Sequence, residues 1–480
     1  MRARTVRSFF WRLFEQGGSS VIQLIVQVVM ARILSPEQFG LLAIMAVFVN
    51  LGNVVVQSGL NTAIVQASDA TERDYSTVFW MSLGISLVLY LVTFASSTLI
   101  ASFYRAPDII WPLRALALVL IVNAYNAIQE AIVARNLEFE KTFRSTVAAG
   151  VASGIAGIWA AYLGAGIWAL VFQQLLFQGC KSLVLAVQVP WKPHREFDAR
   201  RAVVLLGFGW KLLASGLLDQ GYQSLSDLII GRVFTKADLG YVNQGKRYPQ
   251  ALGLMLDGSI QPVMLSAVSR VQDDLVRVKS LARRGLKTST FFIVPAMGAF
   301  ALVARPLVIA LLGEKWLPSV PFLQMYCITY MMLPIHTTNL QVLNGVGRSD
   351  LFLRLEVIKK FVGLVVMLAV TFVIGDLRAI VASYIGVSVI ATFINVYPNK
   401  RVIGYSYLEQ VRDILPAFLL AACAAAIAST LSYTPLAGLP LAIAQVLVMS
   451  VTYVALAWLF HVEELSYLLN TLRASTLGRV

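Results

Sequence analysis

Ionisable and amide side chains recur at helical spacing inside runs that are otherwise apolar. Arg12, Gln16, Ser19, Gln23 and Gln27 are separated by 4, 3, 4 and 4 residues, which places them on one stripe of a helix with Glu15 at its border. Lys211, Ser215, Asp219, Tyr222 and Ser226 repeat the pattern with separations of 4, 4, 3 and 4. Asn53, Gln57 and Asn61 recur every four residues, and Asn243, Arg247, Gln250, Asp257 and Gln261 mark a further polar set. Asn123, Asn126 and Glu130, Lys246, Arg305, and His336 with Asn339 add to it. An ionisable group at the centre of a membrane helix costs about 2.5 to 3.5 kcal/mol on insertion scales, so it faces a partner or a water-filled cavity. The chemistry open to such a set is recognition and proton exchange, not bond making. For any single Asn, Gln or Ser, interhelical bonding at about 0.6 kcal/mol each is an equal alternative to cavity lining. For Lys211, Asp219, Lys246, Arg247, Asp257 and Arg305 the cavity reading is favoured, against ion pairs that lock helices together.

The elements that must position these residues follow from composition. The chain has 480 residues, of which 58% are hydrophobic and 13% charged, and its mean hydropathy is +0.73. These values describe an integral membrane protein. A spanning helix needs about 20 mostly apolar residues. Fourteen stretches qualify, near 10–31, 40–65, 77–102, 112–134, 145–163, 166–189, 203–231, 240–265, 288–312, 319–344, 353–374, 378–398, 413–431 and 437–460. The runs are continuous and do not alternate over about ten residues, which selects helices over a barrel.

Placing the N-terminus inside puts 27 of the 39 Lys and Arg residues in cytoplasmic segments, with seven on the opposite side and five within spans. The positive-inside rule then makes both termini cytoplasmic. The same distribution explains a pI near 9.7 as a topology signal, not a nucleic-acid footprint. Arg32 and Arg232 are expected to anchor helix ends at the membrane interface. Cys180, Cys327 and Cys423 fall in apolar spans without paired spacing and read as small core residues, implying neither disulfides nor metal. Arg12, Glu15 and Gln16 interrupt the N-terminal segment, which reads as a retained first helix and not a cleaved signal. His194, His336 and His461 are scattered, and there is no carboxylate pair, nucleophile elbow or phosphate loop. The largest loops, near 190–202 and 266–287, are too short to fold alone, which argues against an enzyme. No cofactor is expected.

The chain also repeats itself at an offset of 200. Ala31-Arg32-Ile33-Leu34-Ser35-Pro36-Glu37-Gln38-Phe39-Gly40 is echoed by Gly231-Arg232-Val233-Phe234-Thr235-Lys236-Ala237-Asp238-Leu239-Gly240. Two halves built alike in a membrane chain are the usual construction of a secondary transporter. The first of these segments, with Phe10-Trp11-Arg12-Leu13, Gly17-Gly18 and Ser58-Gly59-Leu60, resembles the polysaccharide transporter family. So do Ala134-Arg135-Asn136-Leu137-Glu138-Phe139 and Asn344-Gly345-Val346-Gly347-Arg348-Ser349-Asp350. These are the Wzx-type oligosaccharide flippases of the multidrug/oligosaccharidyl-lipid/polysaccharide exporter superfamily, with colanic acid and teichuronic acid exporters the nearest in look.

The resemblance implies an all-α protein of about 14 transmembrane helices in two pseudo-symmetric six-helix bundles plus a C-terminal helix pair. The corresponding divisions are 1–190, a cytoplasmic linker at 191–202, 203–400, and 401–480. It implies a multi-pass protein of the bacterial inner membrane that moves undecaprenyl-pyrophosphate-linked repeat units outward by alternating access, for exopolysaccharide, capsule or O-antigen. Its partners would be that lipid-linked oligosaccharide, membrane lipids and polymerase or export machinery. The substrate-binding set would be Arg12, Gln16, Gln23, Lys211, Asp219, Tyr222, Lys246, Arg247 and Arg305, with Trp210 and Tyr222 stacking on sugar faces. Glu15, Asp219 or Asp257 would couple ion entry. A drug or cation antiporter shares this fold, but the first span lacks the Pro and Asp arrangement many of those carry. A lipid II flippase is less similar over the first span. A polymerase or ligase would carry long external loops bearing Arg, which are absent from the sequence.

Overall fold

The computed structural model describes residues 21–57, 64 and 71–466, and among them every regular element is helical. The order is α1 (Val21–Ile33), α2 (Pro36–Gln57), α3 (Glu72–Phe103), α4 (Ile110–Leu116), α5 (Leu118–Asn136), α6 (Phe139–Tyr162), α7 (Ile167–Gln188), α8 (Ala199–Val233) and α9 (Lys236–Ser269). There follow α10 (Leu275–Leu302), α11 (Ala304–Leu312), α12 (Val320–Met331), α13 (Leu333–Gly345), α14 (Ser349–Ala369), α15 (Leu377–Val402), α16 (Tyr407–Ser429) and α17 (Gly438–Leu459). Among the described residues, eleven helical spans are long and apolar enough to cross a membrane, or twelve when the two parts of α8, bent by 54°, count as one. The chain is a multi-pass helical membrane protein. Of the fourteen sequence stretches, the first lies outside the described residues up to residue 20, and its remainder falls in α1. The tenth is split at Met332 into α12 and α13, where Pro334 opens the second helix.

Contacts divide the chain into two units, residues 1–240 and 241–480. In the first, α6 presents small residues to its neighbours. A Cβ on Gly154 would meet the Val26 side chain of α1 at 2.4 Å, and one on Gly157 would meet Gln173 of α7 at 2.7 Å. Small residues permit such close approach where water drives nothing. A second core gathers Ile64, Tyr75, Val78, Phe79, Ile128, Leu185 and Trp191. In the second unit, Phe291 and Val294 of α10 pack with Leu420, Ala421 and Ala424 of α16 and with Met449 and Tyr453 of α17. The Tyr453 hydroxyl donates to the Phe291 carbonyl at 3.0 Å. The C-terminal helix pair is thereby fixed to α10.

Helix starts follow local chemistry. Thr71 with Asp74 opens α3, and Ser406 with Glu409 opens α16, each as a reciprocal capping box. The repeated decapeptide does the same twice. Ser35 N donates to Gln38 Oε1 at 2.9 Å before α2, and Thr235 N donates to Asp238 Oδ2 at 3.2 Å before α9. Cys327 is buried, Cys180 half-buried and Cys423 exposed, so the core reading fails for Cys423. The outer face of α16 is apolar because it meets lipid, and an apolar residue there has no need of the protein interior.

Candidate functional site

In the first unit the polar residues of the spans bind across helices. Lys181 Nζ of α7 lies 2.5 Å from Glu130 Oε1 of α5. Asn123 Nδ2 of α5 donates to Asn53 Oδ1 of α2 at 2.8 Å. Gln23 on α1 is exposed, as are Asp219 and Trp210 on α8, while Tyr222 is half-buried and Gln27 buried. Arg12, Glu15 and Gln16 lie outside the described residues, and so does the Lys211 side chain.

In the second unit, Lys246, Arg247 and Asp257 share α9, which contains Pro249 and Pro262. Arg247 is exposed. Asp257 is 4% exposed. Its carboxylate accepts from Gln261 Nε2 at 2.6 Å and from the Thr337 hydroxyl of α13. Arg305 is exposed on the first turn of α11. The structure therefore joins Asp257 to α13, while Arg247 and Arg305 are exposed.

Beside Asp257 runs a buried lattice that spacing alone did not reveal. Asn395 Nδ2 donates to His336 Nδ1 at 3.1 Å, which leaves Nε2 to donate to Ser388 Oγ at 3.0 Å. Asn339 and Gln410 exchange two amide bonds, at 2.9 and 3.0 Å, and Asn399 Nδ2 donates to Asn339 Oδ1 at 3.0 Å. Helices α13, α15 and α16 are thus tied by side chains. Of these residues only His336 and Asn339 stood out in the sequence. Asn395 and Asn399 lie four apart on α15, a spacing that could have drawn attention to them.

The basic residues near 277–287 also do more than set topology. Lys279, Arg283 and Lys287, one turn apart on α10, meet Glu409, Asp413 and Glu463 at 2.8, 2.7 and 2.8 Å respectively. The Tyr405 hydroxyl adds a bond to Asp413 at 2.7 Å. A cavity of about 610 Å³ is lined here by Lys279, Arg283, Arg284, Lys287, Glu463 and Glu464. With Glu409 and Asp413 its four cations face four carboxylates, so the cluster is a charge-balanced clamp on the C-terminal helices. The bond from Lys287 holds the exposed Glu463 carboxyl below its usual range.

The segment 190–198 is clasped to the start of α3. Trp191 is 7% exposed, edge-on to Phe79 at 5.9 Å. Trp80 Nε1 donates to the His194 carbonyl at 2.8 Å, and Ser76 and Thr77 accept from the backbone of His194 and Asp198 at 3.1 Å each. Asp198 caps α8, accepting from Arg200 N and Arg201 N at 3.0 Å each. The Arg201 bond, with Arg73 nearby, holds the Asp198 carboxyl below its ordinary range. Arg201 closes the clasp on Asp74 at 2.9 Å.

A family model described as "Polysaccharide biosynthesis protein" matches residues 29–321, more than half of the chain. The chain belongs to the polysaccharide biosynthesis protein family. Another protein of this kind, the Lipopolysaccharide biosynthesis protein WzxC of Escherichia coli (strain K12), is 23% identical over 431 residues, covering 87% of this chain and 86% of that one. Among solved structures, the lipid II flippase MurJ in an inward closed conformation superposes with a TM-score of 0.75 at 14% identity, over 95% of this chain and 99% of MurJ. An inward-facing multidrug resistance MATE family transporter of the MOP superfamily gives 0.61 at 16% identity, covering 94% of that chain but 79% of this one. This polysaccharide biosynthesis protein thus has the MurJ/MATE-like fold at the longer extent of MurJ.

Proposed function

We propose that the protein is a flippase for lipid-linked oligosaccharide, moving undecaprenyl-pyrophosphate-linked repeat units from the cytoplasmic to the periplasmic leaflet of the bacterial inner membrane. The observation that carries this reading is the family match together with a fold shared from end to end with a lipid II flippase. WzxC, named for lipopolysaccharide biosynthesis, points to the same substrate class. Such a cargo has a sugar head that cannot cross hydrocarbon unassisted and a lipid tail that need not leave it. A transporter for it needs cations toward the pyrophosphate, amides toward hydroxyls and aromatic faces toward sugar rings, not a reactive nucleophile.

In this reading Lys211, Lys246, Arg247 and Arg305, with Arg12, attract the anionic group. Gln16, Gln23 and Asp219 bond the sugar head, and Tyr222 and Trp210 stack on it. Glu15, Asp219 or Asp257 carries the coupling ion. Asp257 is the strongest of the three, because a buried carboxylate held by Gln261 and Thr337 ties α9 to α13 and loses that tie when protonated. Both termini are cytoplasmic by the distribution of Lys and Arg. The second reading, a drug or cation antiporter, is less well supported because this chain extends past the fold match with the MATE transporter.

Deleting the gene tests the proposal. Complete, unpolymerised units should accumulate on the cytoplasmic leaflet and clear when the gene is restored. Units that reach the periplasmic leaflet unpolymerised would instead assign polymerase or ligase work, and unchanged lipids would favour the antiporter.

A further inference from the structure

The repeated decapeptide leaves one feature unexplained by helix capping, its final glycine. Neither Gly40 nor Gly240 has a positive φ, so conformational freedom is not the reason for glycine, and glycine is a poor residue for a helix interior. The reason is the neighbour. A Cβ on Gly40 would fall 1.7 Å from the Lys236 carbonyl oxygen and 3.2 Å from the Gly240 nitrogen. A Cβ on Gly240 would fall 2.0 Å from the Pro36 carbonyl oxygen and 3.3 Å from the Gly40 nitrogen. The first turns of α2 and α9 therefore cross backbone on backbone, each with a carbonyl aimed at the other's glycine.

This contact maps onto itself when the two helices are exchanged, so a local two-fold axis passes between Gly40 and Gly240. The capping boxes Ser35/Gln38 and Thr235/Asp238 start both helices in the register that delivers the glycines to that axis. Phe39 and Leu239, beside the glycines, are buried at 6% and 0% exposure. Ile44, one turn further along α2, is fully buried, and a Cβ on Gly231 would lie 3.1 Å from it. The crossing also lies where α9 passes from the first contact unit into the second, after Gly240.

We infer that the Gly40–Gly240 crossing is a reversible latch: it closes the non-cytoplasmic end of the transport path and must part each time that end opens. The inference rests on the alternating-access flippase reading above. A contact made only of backbone and Cα groups suits the task, since small-residue crossings hold helices by close packing and weak Cα–H···O contacts and leave no buried charge unpaired on separation. The contact is symmetrical, with each helix supplying one glycine and one carbonyl.

Two experiments in a background lacking Cys180, Cys327 and Cys423 decide it. In the first, Glu37→Cys and Lys236→Cys are joined by a short, cleavable bifunctional thiol reagent, the two native side chains being electrostatic neighbours across the crossing. Transport of the lipid-linked oligosaccharide should stop on crosslinking and return on reduction. Full activity in the crosslinked protein would overturn the latch and make the crossing a permanent fulcrum. In the second, Ile44→Cys reports opening to a membrane-impermeant maleimide. Gly40→Ala or Gly240→Ala should raise its labelling by about tenfold or more, because the added methyl excludes the closed state, while Gly84→Ala, which has open space around it, should change nothing. Unchanged labelling in a folded Gly40→Ala protein would also overturn the inference, and should that variant not fold, the crosslink still decides. Absence of transport before crosslinking would count against the flippase reading itself, so the two failures are separable.

Discussion

The reciprocal amide pair between Asn339 and Gln410 makes a quantitative prediction about how the C-terminal helices are held. Gln410→Ala removes two interhelical bonds, but Asn339 keeps its bond to the Ile335 carbonyl and its bond from Asn399. Asn339→Ala removes the same two and also the Asn399 bond to its side chain. Interhelical hydrogen bonds in membrane proteins average about 0.6 kcal/mol. The hydrogen-bond contribution is then about 1.2 kcal/mol for Gln410→Ala and about 1.8 kcal/mol for Asn339→Ala. The double variant should lose no more of these bonds than Asn339→Ala alone, so the cycle should return a coupling of about 1.2 kcal/mol, with packing losses largely cancelling. The assay is unfolding in mixed micelles with increasing sodium dodecyl sulfate, followed by far-ultraviolet circular dichroism for all four proteins. A coupling below about 0.3 kcal/mol would show that the pair is not a mutual contact and refute the bonding argument.

Trp191→Ala empties a buried site against Phe79 and should destabilise the clasp by about 3 to 5 kcal/mol, read as faster proteolysis within 190–202 and a lower thermal midpoint. The Asp198 carboxyl is held below its unfolded value, so its stabilising effect is present above the ordinary Asp range and is lost as pH falls through the lower folded value; tryptophan fluorescence should show the segment loosening in acid, and Asp198→Asn should remove that pH dependence. Asp257→Asn keeps a polar group for Gln261 and Thr337 and should leave insertion and folding intact while uncoupling transport from an imposed pH gradient; gradient-driven transport at the native rate would exclude Asp257 as the coupling group. Replacing Lys211, Lys246, Arg247 and Arg305 together by Gln should lower transport by at least about tenfold at normal expression, since each tenfold corresponds to only about 1.4 kcal/mol of lost attraction; intact transport would remove their assigned role.

The spans were legible because apolar runs near twenty residues have few alternatives in a chain this hydrophobic. The break between α12 and α13 has a sequence signal too, since Pro334 stands in the first turn of a helix inside an apolar run. What periodicity does not contain is which helices touch. Lys279, Arg283 and Lys287 read as topology signals until Glu409 and Asp413, also one turn apart, were found opposite them. The repeat at Gly40 and Gly240 was visible as similarity, but its purpose is a backbone crossing between helices two hundred residues apart. For the same reason the stripe carrying Asp257 could be drawn from sequence, whereas its bond to Thr337 could not.

The most direct test of the central claim is reconstitution. Purified protein in liposomes carrying an undecaprenyl-pyrophosphate-linked oligosaccharide in one leaflet should move the sugar head to the other, measured by loss of accessibility to an impermeant lectin or oxidant. The account predicts movement that depends on the protein and falls in the quadruple Gln variant. Redistribution no faster than in protein-free liposomes would contradict it.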